Sequence, residues 1–193
     1  NVRSVMTLCR LGVPVNFASS ASIGSCVEIF DSGVPESCVK SREKEVLALG
    51  YGASKLKAEL VLQKHATDFR IFRLPRLTVA MGSSGSLKAH NTGDLFAQLI
   101  KSSEQMGMFP NVEVLDYWLP VDFAARAIVA LALSQSDADV LHLMPDKPLE
   151  LTDILECGKL HVTPVEMKEW ETQFSAKSNL SDLKDVLGMV LDD

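Results

Sequence analysis

Helical stretches and short apolar strands alternate along this chain, and that alternation restricts its fold more than any other feature of the sequence. The opening NVRSVMTLCRLG already carries a helical stripe, with Val2, Val5, Met6 and Cys9 at i, i+3, i+4 and i+7, and Gly12 stops it. A chain that starts in mid-helix without an initiator Met reads as a portion of a longer polypeptide. Val13 to Ala18 then reads as a buried strand running into the small polar cluster Ser19, Ser20, Ala21 and Ser22. Residues 24–48 hold Gly24, Gly33, Pro35 and mixed charge, which predicts a loop. A second helix is expected from about Tyr51 to His65, and a strand from Arg70 to Leu74, halted by Pro75. A Gly/Ser-rich loop from Met81 to Ser86 precedes a helix from about Asp94 to Glu104. Further on come a helix from Val121 to Leu133, a strand from Val140 to Met144, a short helix capped by Thr152, and a polar tail from Ser175.

Alternation of this kind implies a parallel sheet with helices on both faces, an α/β doubly wound architecture. Ligands of such sheets lie at the carboxyl ends of the strands. Two of those ends here are Ser19-Ser20 and Leu74-Pro75, so chemistry is to be sought there.

Composition removes several other functions. The 193 residues carry 19 Lys+Arg against 25 Asp+Glu, a net charge of -6, so no counterion-releasing basic face is available for nucleic acid or an anionic membrane. No apolar run is long enough to span a bilayer. Cys9, Cys26, Cys38 and Cys157 show no C-x-x-C spacing and read as buried reduced thiols of a cytoplasmic protein. His65, His90, His142 and His161 are scattered without ligand spacing, so no metal site is expected, and His142 reads as a structural residue within its strand. Asp94 and Asp122 each precede or open a helix and are explained as cap or dipole partners. Trp118 and Trp170 are assigned to packing, or to contact with a bound substrate. Met106, Met108 and Phe109 suggest a flexible apolar wall, of a core or of a pocket.

The chemistry concentrates in Tyr51-Gly-Ala-Ser-Lys55. A Tyr and a Lys four apart on a helix share a face. An ammonium near a phenol favours the phenolate, which suits that phenol to give a proton to a developing alkoxide near neutral pH. A hydroxyl at Ser20, on the preceding strand end, could hold a substrate carbonyl and share the forming charge.

These residues resemble the extended short-chain dehydrogenase/reductases, and within them the thioester reductase domains that terminate some nonribosomal peptide and polyketide synthetases. Carboxylic acid reductases and aminoadipate reductase carry related domains. The matching stretches are Asn1-Val-Arg-Ser, Val15-Asn-Phe-Ala-Ser-Ser-Ala-Ser-Ile23, Gly50-Tyr-Gly-Ala-Ser-Lys55 with Ala58-Glu59, and Phe72-Arg-Leu-Pro-Arg76. Asn91-Thr-Gly-Asp94, Leu119-Pro-Val-Asp122 with Ala125-Arg-Ala127, and Glu169-Trp170 follow in family order. The resemblance implies a catalytic Ser20, a proton donor Tyr51, and a Lys55 that binds the nicotinamide ribose. It also implies a supporting role in proton relay for Asn1, and a nicotinamide lying against Ser19 and the Leu74-Pro75 backbone. It implies NADPH as cofactor, a phosphopantetheinylated carrier protein as partner, and reduction of the tethered acyl or peptidyl thioester to an aldehyde or alcohol.

Two departures concern the pocket: Leu56 stands where many relatives have Trp, and Val79 where a Gly is usual. A larger one is that no glycine-rich dinucleotide turn occurs in the chain. In the family that turn belongs to an upstream βαβ half. The resemblance therefore assigns residues 1–80 to the C-terminal half of a Rossmann-like catalytic domain. It assigns 81–174 to a small substrate-binding subdomain, interleaved with the last core helix and strand at about 119–144, and 175–193 to a tail. Two other functions fit the same residues. One is a redox-independent, Dieckmann-type cyclising release domain; the other is a truncated, non-catalytic fragment that keeps an interaction surface.

Overall fold

The computed structural model describes residues 2–26, 33–38, 50–78, 80, 95–111, 115–134, 137–150, 153 and 161–177. The chain divides into two units, residues 1–85 with 118–145, and residues 86–117 with 146–193.

The first unit is built on a three-stranded parallel sheet. Helix α1 (Val2–Cys9) turns its stripe inward through Val5, and the turn that follows it reaches Gly12, whose φ of +65° is the left-handed conformation that a glycine supplies freely. Strand β1 (Val15–Ser20) follows, then a 3-10 turn (Ala21–Cys26), helix α2 (Gly50–His65) and strand β2 (Phe69–Leu74). β1 pairs with β2 in parallel from Val15↔Phe69 to Ser20↔Leu74, and β2 pairs on its other side with Val140–His142. The serine pair is thus the last rung of β1, not a cluster beyond it, because pairing with β2 continues to Leu74. Nor does the strand begin at Val13: both Val13 and Pro14 are exposed, and the ladder starts at Val15.

β2 is the central strand, and its last four residues are all buried, as a parallel strand covered on both faces requires. On one face, Ile71 and Val140 pack with Val15, Val5 of α1, and Ala58 and Leu62 of α2. On the other, Leu74 packs with Leu119 and with Ala124 of the helix Val121–Ala132. Helices therefore cover both faces, the doubly wound arrangement expected from the sequence. Pro75 interrupts β2, after which β3 (Arg76–Thr78) pairs in parallel with Trp118–Pro120.

The second unit holds helix α3 (Leu95–Met106), strand β4 (Met108–Pro110), strand β5 (Leu115–Asp116), and later strands β8 (Leu149–Glu150) and β9 (Thr163–Val165). Trp118–Pro120 is β6, Val121–Ala132 is α4, Val140–His142 is β7, and a last helix, α5, spans Met167–Lys177. β4 pairs in parallel with β9, and β5 antiparallel with β8. The core of this unit is Leu99, Phe109, Trp170 and Phe174, with Met106 and Met108 packed against it. Trp170 and Phe174 stack at 4.7 Å, so Trp170 is a packing residue. Among the described residues, no helix is long and apolar enough to cross a membrane.

Candidate active site

The carboxyl edge of the first unit's sheet gathers the residues singled out for chemistry. Because β1 and β2 are parallel neighbours, the connection between them returns α2 with its first turns at the carboxyl end of β1. Gly52 and Ala53 bury that end of the helix, Ala53 with Leu56 against Ile23 of the 3-10 turn. Leu56 is fully buried in this contact, so its departure from the usual Trp bears on how the turn packs against α2 and not on an open pocket.

Lys55 joins helix to strand. Its Nζ donates to the Ala18 carbonyl at 2.8 Å, lies 5.1 Å from the Phe17 ring centroid and 5.7 Å from that of Tyr51. One ammonium therefore touches the strand two residues before Ser20 and the aromatic one helical turn away. Burial pulls the Lys55 pKa below its ordinary value, since a cation loses hydration there. Tyr51 is 61% exposed, its phenol accessible to a bound molecule. Ser20 is half-buried, and its hydroxyl oxygen accepts from the Ser22 N–H at 3.2 Å and the Ser22 hydroxyl at 2.9 Å. Strand register sets Leu74 beside Ser20, and half-buried Pro75 follows. Ser19, expected at the cofactor, turns its side chain inward: it is 3% exposed and its hydroxyl donates to Glu59 Oε1 at 2.5 Å. Asn1, Val79, Asp94, Thr152 and Cys157 lie outside the described residues, and Cys38, expected to be buried, is exposed, while Cys9 is half-buried. Asp122 sits in the first turn of α4 without capping it and pairs with Arg126 at 3.5 Å.

Sequence reasoning missed a second cluster directly behind the first. Arg73, on β2, is 1% exposed and Glu59, on α2, fully buried. Arg73 Nη2 donates to Glu59 Oε2 at 2.8 Å and Nε to Oε1 at 3.3 Å. Its other N–H groups donate to the carbonyls of Pro35 (2.8 Å) and Ser37 (3.1 Å) and to His142 Nε2 on β7 (3.1 Å). A guanidinium only donates, so that His142 nitrogen is the acceptor, and burial together with the Arg73 charge holds the His142 pKa below its usual value. The signal was present in the sequence: Glu59 lies three residues after Leu56 and three before Leu62, in the middle of the buried stripe, and Arg73 lies inside an apolar strand. Buried opposite charges at such positions require one another.

A nicotinamide cofactor can be tested against this edge. Among the described residues, Lys55 uses one N–H on Ala18, which leaves two for sugar hydroxyls, and the Leu74-Pro75 backbone lies alongside Ser20, so the residues suit the nicotinamide-ribose end. Comparison with known proteins agrees. A family described as "Male sterility protein", an NAD-binding family, matches residues 1–128. The non-reducing polyketide synthase pkiA of Emericella nidulans is 29% identical over 81% of this chain, which spans 6% of that protein. The L-2-aminoadipate reductase large subunit of Candida glabrata is 28% identical over 87% of the chain, which spans 13% of it. Among solved structures, the terminal R domain from the myxalamid PKS-NRPS biosynthetic pathway aligns with a TM-score of 0.70 at 24% identity, covering 90% of this chain and 45% of that one. The aureusimine biosynthetic cluster reductase domain aligns at 0.73 and 18%, covering 100% and 53%. The chain thus spans about half the length of those two domains, whose likeness establishes the fold, a Rossmann-like parallel sheet flanked by helices. With more than half of its residues matched, the chain belongs to the NAD-binding family described as "Male sterility protein".

Proposed function

We propose that this chain carries the catalytic edge of an NADPH-dependent oxidoreductase that reduces a carrier-tethered acyl or peptidyl thioester, releasing an aldehyde or alcohol. The observation that carries the reading is the position of Lys55, bonded to the carboxyl end of β1 while its charge stands over the Tyr51 ring. Relatives named as reductases and polyketide synthases, and a related thiolation-reductase di-domain from an archaeal nonribosomal peptide synthetase, support the substrate class and a carrier protein as partner.

Lys55 and the Leu74-Pro75 backbone would hold the nicotinamide end, which when bound supplies a hydride to the carbonyl carbon. Ser20 donates a hydrogen bond to the thioester oxygen and fixes the carbonyl at the strand end. Tyr51 gives its proton to that oxygen as negative charge develops, and the Lys55 ammonium stabilises the phenolate left behind. Expulsion of the carrier thiol then frees the aldehyde. Asn1 is assigned by resemblance to support of the proton relay, and residues 81–174 outside the α4–β7 segment to the substrate subdomain. Tyr51→Phe in the full-length protein, assayed by NADPH consumption with an acyl thioester, is expected to lower the rate by about 10²–10⁴. An unchanged rate would defeat the assignment.

A further inference from the structure

The cluster behind the site is a built device. The guanidinium of Arg73 has five N–H donors, and all five are used: two on Glu59, one each on the carbonyls of Pro35 and Ser37, and one on His142. Glu59 in turn accepts from Ser19, and the Glu36 carboxylate accepts from the His142 N–H at 2.5 Å. The carboxyl ends of all three strands, α2 and the segment 33–38 therefore meet at one buried ion pair.

Three members of this hub lie close in sequence to the chemistry. Ser19 precedes Ser20, Arg73 precedes Leu74, and Glu59 lies one helical turn beyond Lys55. Apolar packing would leave a helix some freedom to slide or rotate against a sheet. A forked guanidinium on a carboxylate fixes both distance and orientation. We propose that Arg73 and Glu59 are positioning residues: their pair sets α2 against the ends of β1 and β2, and holds segment 33–38 to the same edge. Ser20, Tyr51 and Lys55 thereby keep a productive arrangement. This rests on the reductase reading for its rate effect, and on geometry alone for its structural effect.

The deciding experiment replaces the pair with apolar groups in the full-length protein, Glu59→Leu with Arg73→Met. Removing both buried charges often leaves stability unharmed, so the melting temperature is expected near wild type. Yet kcat should stay about tenfold to a hundredfold down with KM within about twofold, the scale of a small misplacement of reacting groups. The His142 amide, having lost the ordered Glu36 acceptor, should exchange with solvent at least about tenfold faster, while the Ile71 amide, bonded to the Asp139 carbonyl at 2.8 Å, stays unchanged. A double variant with wild-type kcat and unchanged His142 exchange overturns the proposal, leaving the pair a core element only. Should the double variant not fold, Arg73→Lys keeps the charge without the fork, and the same kcat loss and exchange change decide. A wild-type protein that reduces no thioester defeats the reductase reading, and the exchange rates then still decide whether the hub holds the edge.

Discussion

The start and the middle of one helix make the instructive contrast in this molecule. At the start of α2, Tyr51 is largely exposed and Lys55 reaches a single backbone carbonyl, so a phenol and an ammonium stay open to a ligand. Two turns on, Glu59 is sealed against Arg73, with every donor of that guanidinium engaged. Both stretches carry ionisable groups. What separates them is whether the hydrogen-bonding capacity is already used. The open end can exchange partners with a substrate. The sealed middle can only hold the frame, because freeing either charge would leave the other desolvated and alone.

That contrast predicts a crossing of effects. Arg73→Met alone strands the Glu59 carboxylate and is expected to destabilise folding by about 3–5 kcal/mol, read from the denaturant midpoint. Lys55→Met, in contrast, is expected to cost no more than about 1.5 kcal/mol of stability, the worth of one hydrogen bond. Its damage should fall on turnover, and equal stability losses from the two variants would erase the distinction.

A smaller effect comes from His142. Its pKa in the folded protein is lowered by burial and by Arg73, with the Glu36 and Glu59 carboxylates opposing. The unfolded chain therefore takes up this proton first as pH falls below about 6.5. Stability from this residue is complete above that value and declines below it, by at most about 1.4 kcal/mol per pH unit. Urea midpoints at pH 7.5 and 5.5, compared between wild type and His142→Gln, should show a steeper acid loss in wild type. Parallel losses would mean that His142 plays no part.

The weakest expected effect lies on α4. Arg126 is 68% exposed where it pairs with Asp122. Arg126→Ala should shift stability by under about 1 kcal/mol in the same denaturation assay. A larger loss would show that an exposed pair can contribute what the account reserves for the buried one.

The frame was legible in the sequence wherever burial and periodicity coincide. Val5 and Cys9 of α1 face the sheet, β2 ends at Pro75, and α4 begins at Val121 as its pattern predicts. The spacing of Tyr51 and Lys55 placed both on one face of α2, and the structure brings the ammonium to the ring. Less legible were the two- and three-residue strands β3 to β6, β8 and β9, too short for any period to register. The 3-10 turn Ala21–Cys26 was hidden for the same reason, since its small residues carry no helical stripe. Two charges at buried positions were readable in the hub's sequence, but their pairing was not, because strand order brings residues 59 and 73 together and a linear pattern does not contain it. Ser19 and Ser20 look alike as neighbours in sequence, yet strand alternation sends one inward to Glu59 and leaves the other half-buried at the edge.

The central claim is that the open end of α2 delivers a proton to a carbonyl that is being reduced. The most direct measurement supplies the full-length protein with NADPH deuterated at the transferable position and an acyl thioester on a carrier, then weighs the released product. The account predicts one deuterium on the carbonyl carbon of an aldehyde, or two in an alcohol, with either product forming about 10²–10⁴ times more slowly in Tyr51→Phe. A released product of unchanged oxidation level without deuterium, such as a cyclised chain, would contradict it.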